Sequence, residues 1–233
     1  MALNLNPDEH AKFSALADHW WEREGPCRTL HDINPCRLDY VAKQLNLAGA
    51  QVADIGCGGG IFSEALARSG AQVTAIDASA ELVQVARRHA LAQATQVHYE
   101  ALTAEELAAR DVARYDLVTC LELIEHVPTP ASLLKACAAL LKPGGVLVIS
   151  TLNRGAASYV LGVVLAEYVF ALVPRGTHDY MQFIRPSELA ALARAEQLAI
   201  RDIRGMQYHP LTRRARLSNA PTINYLATFV REA

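Results

Sequence analysis

No two cysteines in this chain form a C-x-x-C pair, none have zinc-ligand spacing, and the five present (Cys27, Cys36, Cys57, Cys120, Cys137) are odd in number. That pattern argues against a disulfide framework and fits a reduced, cytoplasmic chain with structural thiols. Excess charge is also lacking: 22 Lys and Arg stand against 24 Asp and Glu, a formal net charge of -2. A nucleic-acid partner, which calls for a basic excess, is therefore not expected. With 52% apolar and only 20% charged residues, intrinsic disorder is disfavoured too. The first thirty residues have no apolar core of a signal peptide, because Asp8, Glu9, Lys12, Asp18 and Glu22 interrupt them. No internal repeat or low-complexity linker is present, and a length of 233 residues predicts one domain spanning 1–233.

What is present begins as helix. Asp8 can cap a helix in which Phe13, Leu16, Ala17 and Trp20 follow i, i+3, i+4, i+7. Asn34-Pro35 predicts the start of a second helix with Asn as cap, Pro in the first turn and a buried stripe of Leu38, Val41 and Leu45. Together they define an N-terminal helical segment, 8–47. From residue 51 short apolar runs alternate with helical ones. Strands are predicted at 51–55, 72–76, 96–99, 115–120 and 146–150, and helices at 61–68, 80–92, 104–110 and 131–141. Such alternation implies right-handed crossovers and a parallel sheet covered on both faces. Lys142-Pro143-Gly144-Gly145 reads as the turn into the fifth strand. Two β-rich stretches near the end, 198–206 and 222–230, have no clear helix between them and predict an antiparallel pair closing the sheet.

The first strand leads into Asp54-Ile55-Gly56-Cys57-Gly58-Gly59-Gly60, after which a helix opens. Glycines there allow a tight turn and let backbone N–H groups approach a ligand. Asp77, after the second strand, is placed to accept both hydroxyls of an adenosine ribose. A plain strand-helix turn seldom needs four glycines. A dinucleotide site needs G-x-G-x-x-G, and here the third glycine would fall on Ile61 or Ser63.

The G-x-G-x-G turn, Asp77 and the closing β-pair resemble the S-adenosylmethionine-dependent methyltransferases. That resemblance implies a three-layer, Rossmann-like α/β class I fold, with seven mostly parallel strands and the last antiparallel. Further stretches are similar to one subfamily, the ubiquinone-biosynthesis O-methyltransferases: Trp20-Trp21, Leu30-His31-Asp32-Ile33-Asn34-Pro35-Cys36-Arg37, Cys120-Leu121-Glu122-Leu123-Ile124-Glu125-His126-Val127-Pro128, Ser150-Thr151-Leu152-Asn153-Arg154 and Gly176-Thr177-His178-Asp179. The likeness covers the chain from about Phe13 to Tyr225. It implies methyl transfer from S-adenosylmethionine to phenolic or catechol hydroxyls of polyprenylated ubiquinone precursors. It also implies cofactor contacts at Arg37, Gly56, Asp77 and Leu121, with Asp54 and Gly58 in the same turn. A guanidinium at Arg37 suits the methionine carboxylate.

If the segment after the fourth strand turns helically, Glu122, Glu125 and His126 share one face at i, i+3 and i+4. Their spacing leaves two chemistries open. A phenol with a pKa of about 10 attacks a methyl group poorly until it loses its proton, so His126 can serve as base. Alternatively Glu122, Glu125 and His126 hold a divalent metal such as Mg²⁺ that acidifies a bound catechol. The family resemblance favours the metal site, and His126 and Glu125 are the catalytic candidates under either reading. His178-Asp179 is a second acid-base pair better suited to ordering a loop.

Residues 156–173, within an apolar helical insert at 154–185, carry one charge, Glu167. Their length approaches a membrane span, yet Gly162, Glu167 and a position between two strands of one sheet argue against crossing. A buried lid helix and a peripheral membrane contact both remain open, the latter flanked by Arg154, Arg175 and Arg185 and aided by a basic loop at Arg213-Arg214-Ala215-Arg216. The functional expectation is thus a cytoplasmic, membrane-associated O-methyltransferase, with other ubiquinone-biosynthesis proteins as partners. The alternatives are methylation of another small or lipid acceptor, and a non-catalytic lipid-binding protein on the same fold.

Overall fold

In the computed structural model, which describes residues 4–155 and 182–232, the chain starts with a short helix α1 (Pro7–Ser14) and a 3-10 turn at Ala17–His19. Asn6, not Asp8, caps α1: its side chain accepts from the backbone N–H groups of Asp8 and Glu9. Two positions further on, Asp8 lies in the first turn, where its charge favours the helix N-terminus. Helix α2 (Arg28–Gln44) begins before Asn34 and runs through Pro35. An interior proline costs about 3 kcal/mol. Burial of Ile33, Tyr40 and Val41 along α2 returns about 1.5–3 kcal/mol for each large apolar side chain, so packing outweighs the local signal. Val41 is the buried member of the predicted stripe; Leu38 and Leu45 are half-buried.

The alternating region folds as predicted. Strands β1 (Gln51–Ile55), β2 (Gln72–Asp77), β3 (His98–Ala101), β4 (Tyr115–Leu121) and β5 (Leu141–Leu152) are parallel neighbours. Helices α3 (Ile61–Arg68), α4 (Ala80–Ala92), α5 (Ala104–Arg110) and α6 (Pro130–Leu140) connect them. Leu141 pairs with Tyr115 and Val146 with Leu117, so the Lys142–Gly145 turn bulges out of β5, with Gly144 at φ +74°. Helix α7 (Pro186–Ala195) precedes β6 (Leu198–His209), β7 (Arg214–Ser218) and β8 (Asn224–Arg231).

The sheet order is β3-β2-β1-β4-β5-β8-β6-β7. Strand β8 runs antiparallel between β5 and β6, as the two β-rich stretches predict. An eighth strand, β7, joins the expected seven at the edge beside β6. It corrects the reading of Arg213–Arg216 as a basic loop: Ala215 and Leu217 face the core, while Arg214 and Arg216 point to solvent. Alternation on the central strands divides the interior in two. Val146 and Val148 of β5 pack with Leu66 and Val83 of α3 and α4, and Leu147 and Ile149 pack with Leu134 and Leu189 of α6 and α7. All the C-terminal ends of β1 to β5 therefore open on one edge, where open α/β sheets hold ligands. Among the described residues no helix is long and apolar enough to cross a membrane. The apolar stretch 156–173 and His178-Asp179 lie outside the described residues.

Candidate active site

At the end of β1 the backbone must reverse beneath a helix. Gly56, Gly58 and Gly60 do so with φ of +70°, +54° and +91°, values that cost little only for glycine. The Gly56 and Cys57 N–H groups both donate to the Ile76 carbonyl, at 2.8 and 2.9 Å, and Gly58 N–H donates to Asp77 Oδ2 at 2.9 Å. The turn is also crowded: a Cβ on Gly56 would lie 2.8 Å from Leu123, and one on Gly58 2.3 Å from Trp20. Trp21 Nε1 donates to Gly59 O at 2.9 Å, and its ring stacks on His89.

Asp54 is buried beneath this turn, accepting from Ser63 Oγ at 2.6 Å and Thr119 Oγ1 at 2.7 Å. Burial pushes its carboxyl up to about 6 against these two hydrogen bonds. Asp77 Oδ1 accepts from Ser79 N–H at 2.9 Å, and burial likewise raises its carboxyl above the usual range. Both oxygens thus face backbone donors at the mouth of the turn.

Glu122, Glu125 and His126 do not share a helical face. Leu121 ends β4, Glu122 follows at φ +52°, and only Ile124–His126 turns, as a single 3-10 turn. The three side chains diverge as a result. Glu122 Oε1 accepts from Arg37 Nη2 at 2.9 Å and Ser150 Oγ at 2.7 Å. Glu125 is buried with Oε2 accepting from Thr151 Oγ1 at 2.8 Å, and burial, then the charge of Glu122, pushes it up to about 7. His126 Nδ1 lies 2.8 Å from Glu9 Oε2 of α1, with its ring edge-on to Phe13. Burial works against its charge, but the Glu9 hydrogen bond and the carboxylates of Glu125, Glu9 and Glu122 raise its pKa. Among the described residues no group of three or more His, Cys, Asp or Glu side chains is arranged to hold a metal ion. In this arrangement Arg37 and Ser150 hold Glu122, Thr151 holds Glu125, and Glu9 holds His126.

One cavity of about 740 Å³ gathers the other predicted residues: Arg37, Asp54, Gly56, Gly58, Asp77 and Leu121 all line it, as do Glu122 and His126. Six buried side-chain polar atoms in the described residues lack a hydrogen-bond partner. Those of Trp20, Thr29, Asn34, Arg37 and Asn224 belong to residues lining this cavity, and only Glu125 Oε1 does not. Unpaired buried polar groups are costly, so their concentration here fits a polar ligand, and the glycine cradle fits one that approaches the backbone closely. Sequence reasoning missed Glu9, Trp20, Ser79 and Leu102. Ser79 and Leu102 follow β2 and β3 on the ligand edge, which was the available signal. Nothing in the spacing pointed to Glu9.

Residues 29–203 match the methyltransferase domain family. Over 228 residues the chain is 54% identical to "Ubiquinone biosynthesis O-methyltransferase" of Xanthomonas campestris pv. campestris (strain B100), covering 98% of this chain and 95% of that protein. The chain belongs to the ubiquinone biosynthesis O-methyltransferase family. As a member it is an S-adenosylmethionine-dependent O-methyltransferase. A 52% identical relative of the same description, from Xanthomonas axonopodis pv. citri (strain 306), shares the same coverage. Solved structures agree on the fold. The magnesium protoporphyrin IX methyltransferase of Synechocystis PCC 6803 with bound SAH superposes with a TM-score of 0.67 at 20% identity, covering 97% of this chain and all of that one. An S-adenosylmethionine-dependent methyltransferase of Methanosarcina mazei gives 0.64 at 17% identity, over 83% of this chain and 97% of that one.

Proposed function

We propose that the chain methylates a phenolic or catechol hydroxyl of a polyprenylated ubiquinone precursor. The observation that carries this reading is the 54% identity over nearly the full length of both proteins to a ubiquinone biosynthesis O-methyltransferase. S-adenosylmethionine supplies a methyl group activated on a sulfonium. Gly56 and Gly58 cradle it, Asp77 takes the ribose hydroxyls, Leu121 packs on the adenine side and Arg37 takes the methionine carboxylate. Asp54 supports the turn from beneath through Ser63 and Thr119.

His126 Nε2 takes the proton of the acceptor hydroxyl, and Glu9 on Nδ1 fixes the tautomer that leaves Nε2 basic. Holding acceptor and donor in line supplies much of the remaining rate. Glu125, buried with its carboxyl pushed up to about 7, lies next to the base in the same 3-10 turn. Glu122, Glu125 and His126 are here held by Arg37 and Ser150, by Thr151 and by Glu9 respectively, so a divalent metal would have to displace these partners to bind all three.

Residues 156–173 provide peripheral contact with the membrane that holds the prenyl tail, and other ubiquinone-biosynthesis proteins are partners. The deciding experiment is methyl transfer from labelled S-adenosylmethionine to prenyl catechols of increasing tail length, with and without chelator. Prenylated acceptors turned over faster than unprenylated catechol support the substrate class; equal turnover sinks it in favour of another small acceptor. Loss on chelation that Mg²⁺ restores would mean that Glu122, Glu125 and His126 regroup on substrate binding. Deletion of 156–173 should abolish liposome binding and spare cofactor binding.

A further inference from the structure

Arg37 and Glu122 form an ion pair in which each member keeps hydrogen-bonding capacity. Arg37 is 5% exposed; its Nη2 is spent on Glu122, and its Nε has no partner among the described residues. Glu122 spends Oε1 on Arg37 and Ser150 Oγ, while Oε2 accepts no hydrogen bond among the described residues. Its backbone N–H donates to Ser150 Oγ at 3.1 Å and Ser150 O at 3.0 Å, and the positive φ aims the side chain off the end of β4. A non-glycine residue in that region costs about 1–2 kcal/mol, so Glu122 is held there by its partners. Both side chains line the cavity together with Gly56.

A lone anion would use Arg37 and be repelled by Glu122; a lone cation would do the reverse. A donor and an acceptor of opposite charge, side by side and each with an open position, match a carboxylate and an ammonium carried on one carbon. We propose that Glu122 is a cofactor-binding residue whose Oε2 takes the ammonium of the methionine moiety while Arg37 Nε takes its carboxylate. The assignment rests on the cofactor reading above and gives Glu122 a task other than holding a metal.

Glu122 could instead serve only to neutralise buried Arg37, and the sign of one substitution separates the two. Calorimetry in chelator would measure S-adenosylhomocysteine, its desamino analogue and 5′-methylthioadenosine, which lacks the whole amino-acid part. In the wild type the desamino analogue should bind about tenfold more weakly than S-adenosylhomocysteine, the scale of one charge-assisted hydrogen bond. Glu122→Gln should weaken S-adenosylhomocysteine about tenfold, leave 5′-methylthioadenosine within twofold and erase the preference over the desamino analogue. Unchanged or tighter S-adenosylhomocysteine binding by Glu122→Gln overturns the assignment, because neutralisation alone predicts that result. Ser150→Ala, which loosens Glu122 without removing it, should narrow the desamino preference; an unaltered preference counts against it even if Glu122→Gln does not fold. Wild-type protein that binds none of the three ligands would instead overturn the cofactor reading.

Discussion

Glu9 Oε2 and His126 Nδ1 lie 2.8 Å apart although 117 positions separate them in the chain. The contact ties α1, which has no buried residue of its own, to the rim of the cavity. It also holds Glu9 down to about 2, chiefly through the His126 hydrogen bond, and raises His126. A depressed carboxylate stabilises above its unfolded value of 4.5 and loses that contribution as pH falls toward 2; a raised imidazole stabilises below 6.5 and loses it as pH rises further. The tie is therefore strongest between these two unfolded values.

Substituting Glu9→Gln should move the His126 limb of the kcat/KM profile to lower pH, because a raising influence is gone. The plateau rate should fall about tenfold or more as the ring loses its orienting partner. A pH-rate profile with an unmoved limb would remove Glu9 from the mechanism.

Gly59 has no positive φ, so only space forbids a side chain there: its Cβ would sit 2.4 Å from Trp20 Cδ1. Gly59→Ala should weaken S-adenosylhomocysteine binding at least tenfold, and adding Trp20→Ala should restore part of it. In Gly58→Ala the same rescue should be poorer, since φ +54° strains any side chain. A double-mutant binding cycle checks both expectations.

Asp54 binds its proton more tightly folded than unfolded, so its contribution to stability is complete below 3.8 and is lost as pH rises through about 6. Asp54→Asn stays neutral throughout. Relative to wild type it should gain stability between pH 4 and 7.5, by ~3 kcal/mol, because roughly two pKa units separate the unfolded and folded values and each is worth about 1.4 kcal/mol. Urea midpoints across that range would read the gain; a pH-independent difference would contradict it.

Asp77 meets Gly58 N–H with one oxygen and Ser79 N–H with the other. Asp77→Asn replaces one acceptor by a donor facing a donor, and should weaken S-adenosylhomocysteine binding by about tenfold or more. Affinity within twofold of wild type would show that the carboxylate neither shapes the turn nor meets the ribose.

The parallel half of the fold was legible because apolar period and glycine punctuation agree there: 51–55, 61–68, 80–92 and 104–110 match β1, α3, α4 and α5 end to end. Where local signals and packing conflict, the sequence misled. Asn34-Pro35 reads as a helix start, yet α2 begins at Arg28 because burial along it outweighs the proline. Arg213–Arg216 reads as a charged loop, since two inward residues are too few to register as a strand until β6 lies beside them. In the site, the glycine turn and Asp77 are legible because each is signalled by local sequence, and both line the cavity. The Glu122, Glu125 and His126 arrangement depends on one backbone angle, φ +52° at Glu122, and on partners supplied by α1, α2 and β5. Spacing carries neither.

The protein has two tryptophans, and both touch the glycine turn: Trp20 against Gly58 and Gly59, Trp21 through its N–H to Gly59 O and its ring stacked on His89. Its intrinsic emission is consequently a local optical signal rather than an average over the molecule. Occupancy of the turn should therefore be readable from the emission of untreated protein, without a label.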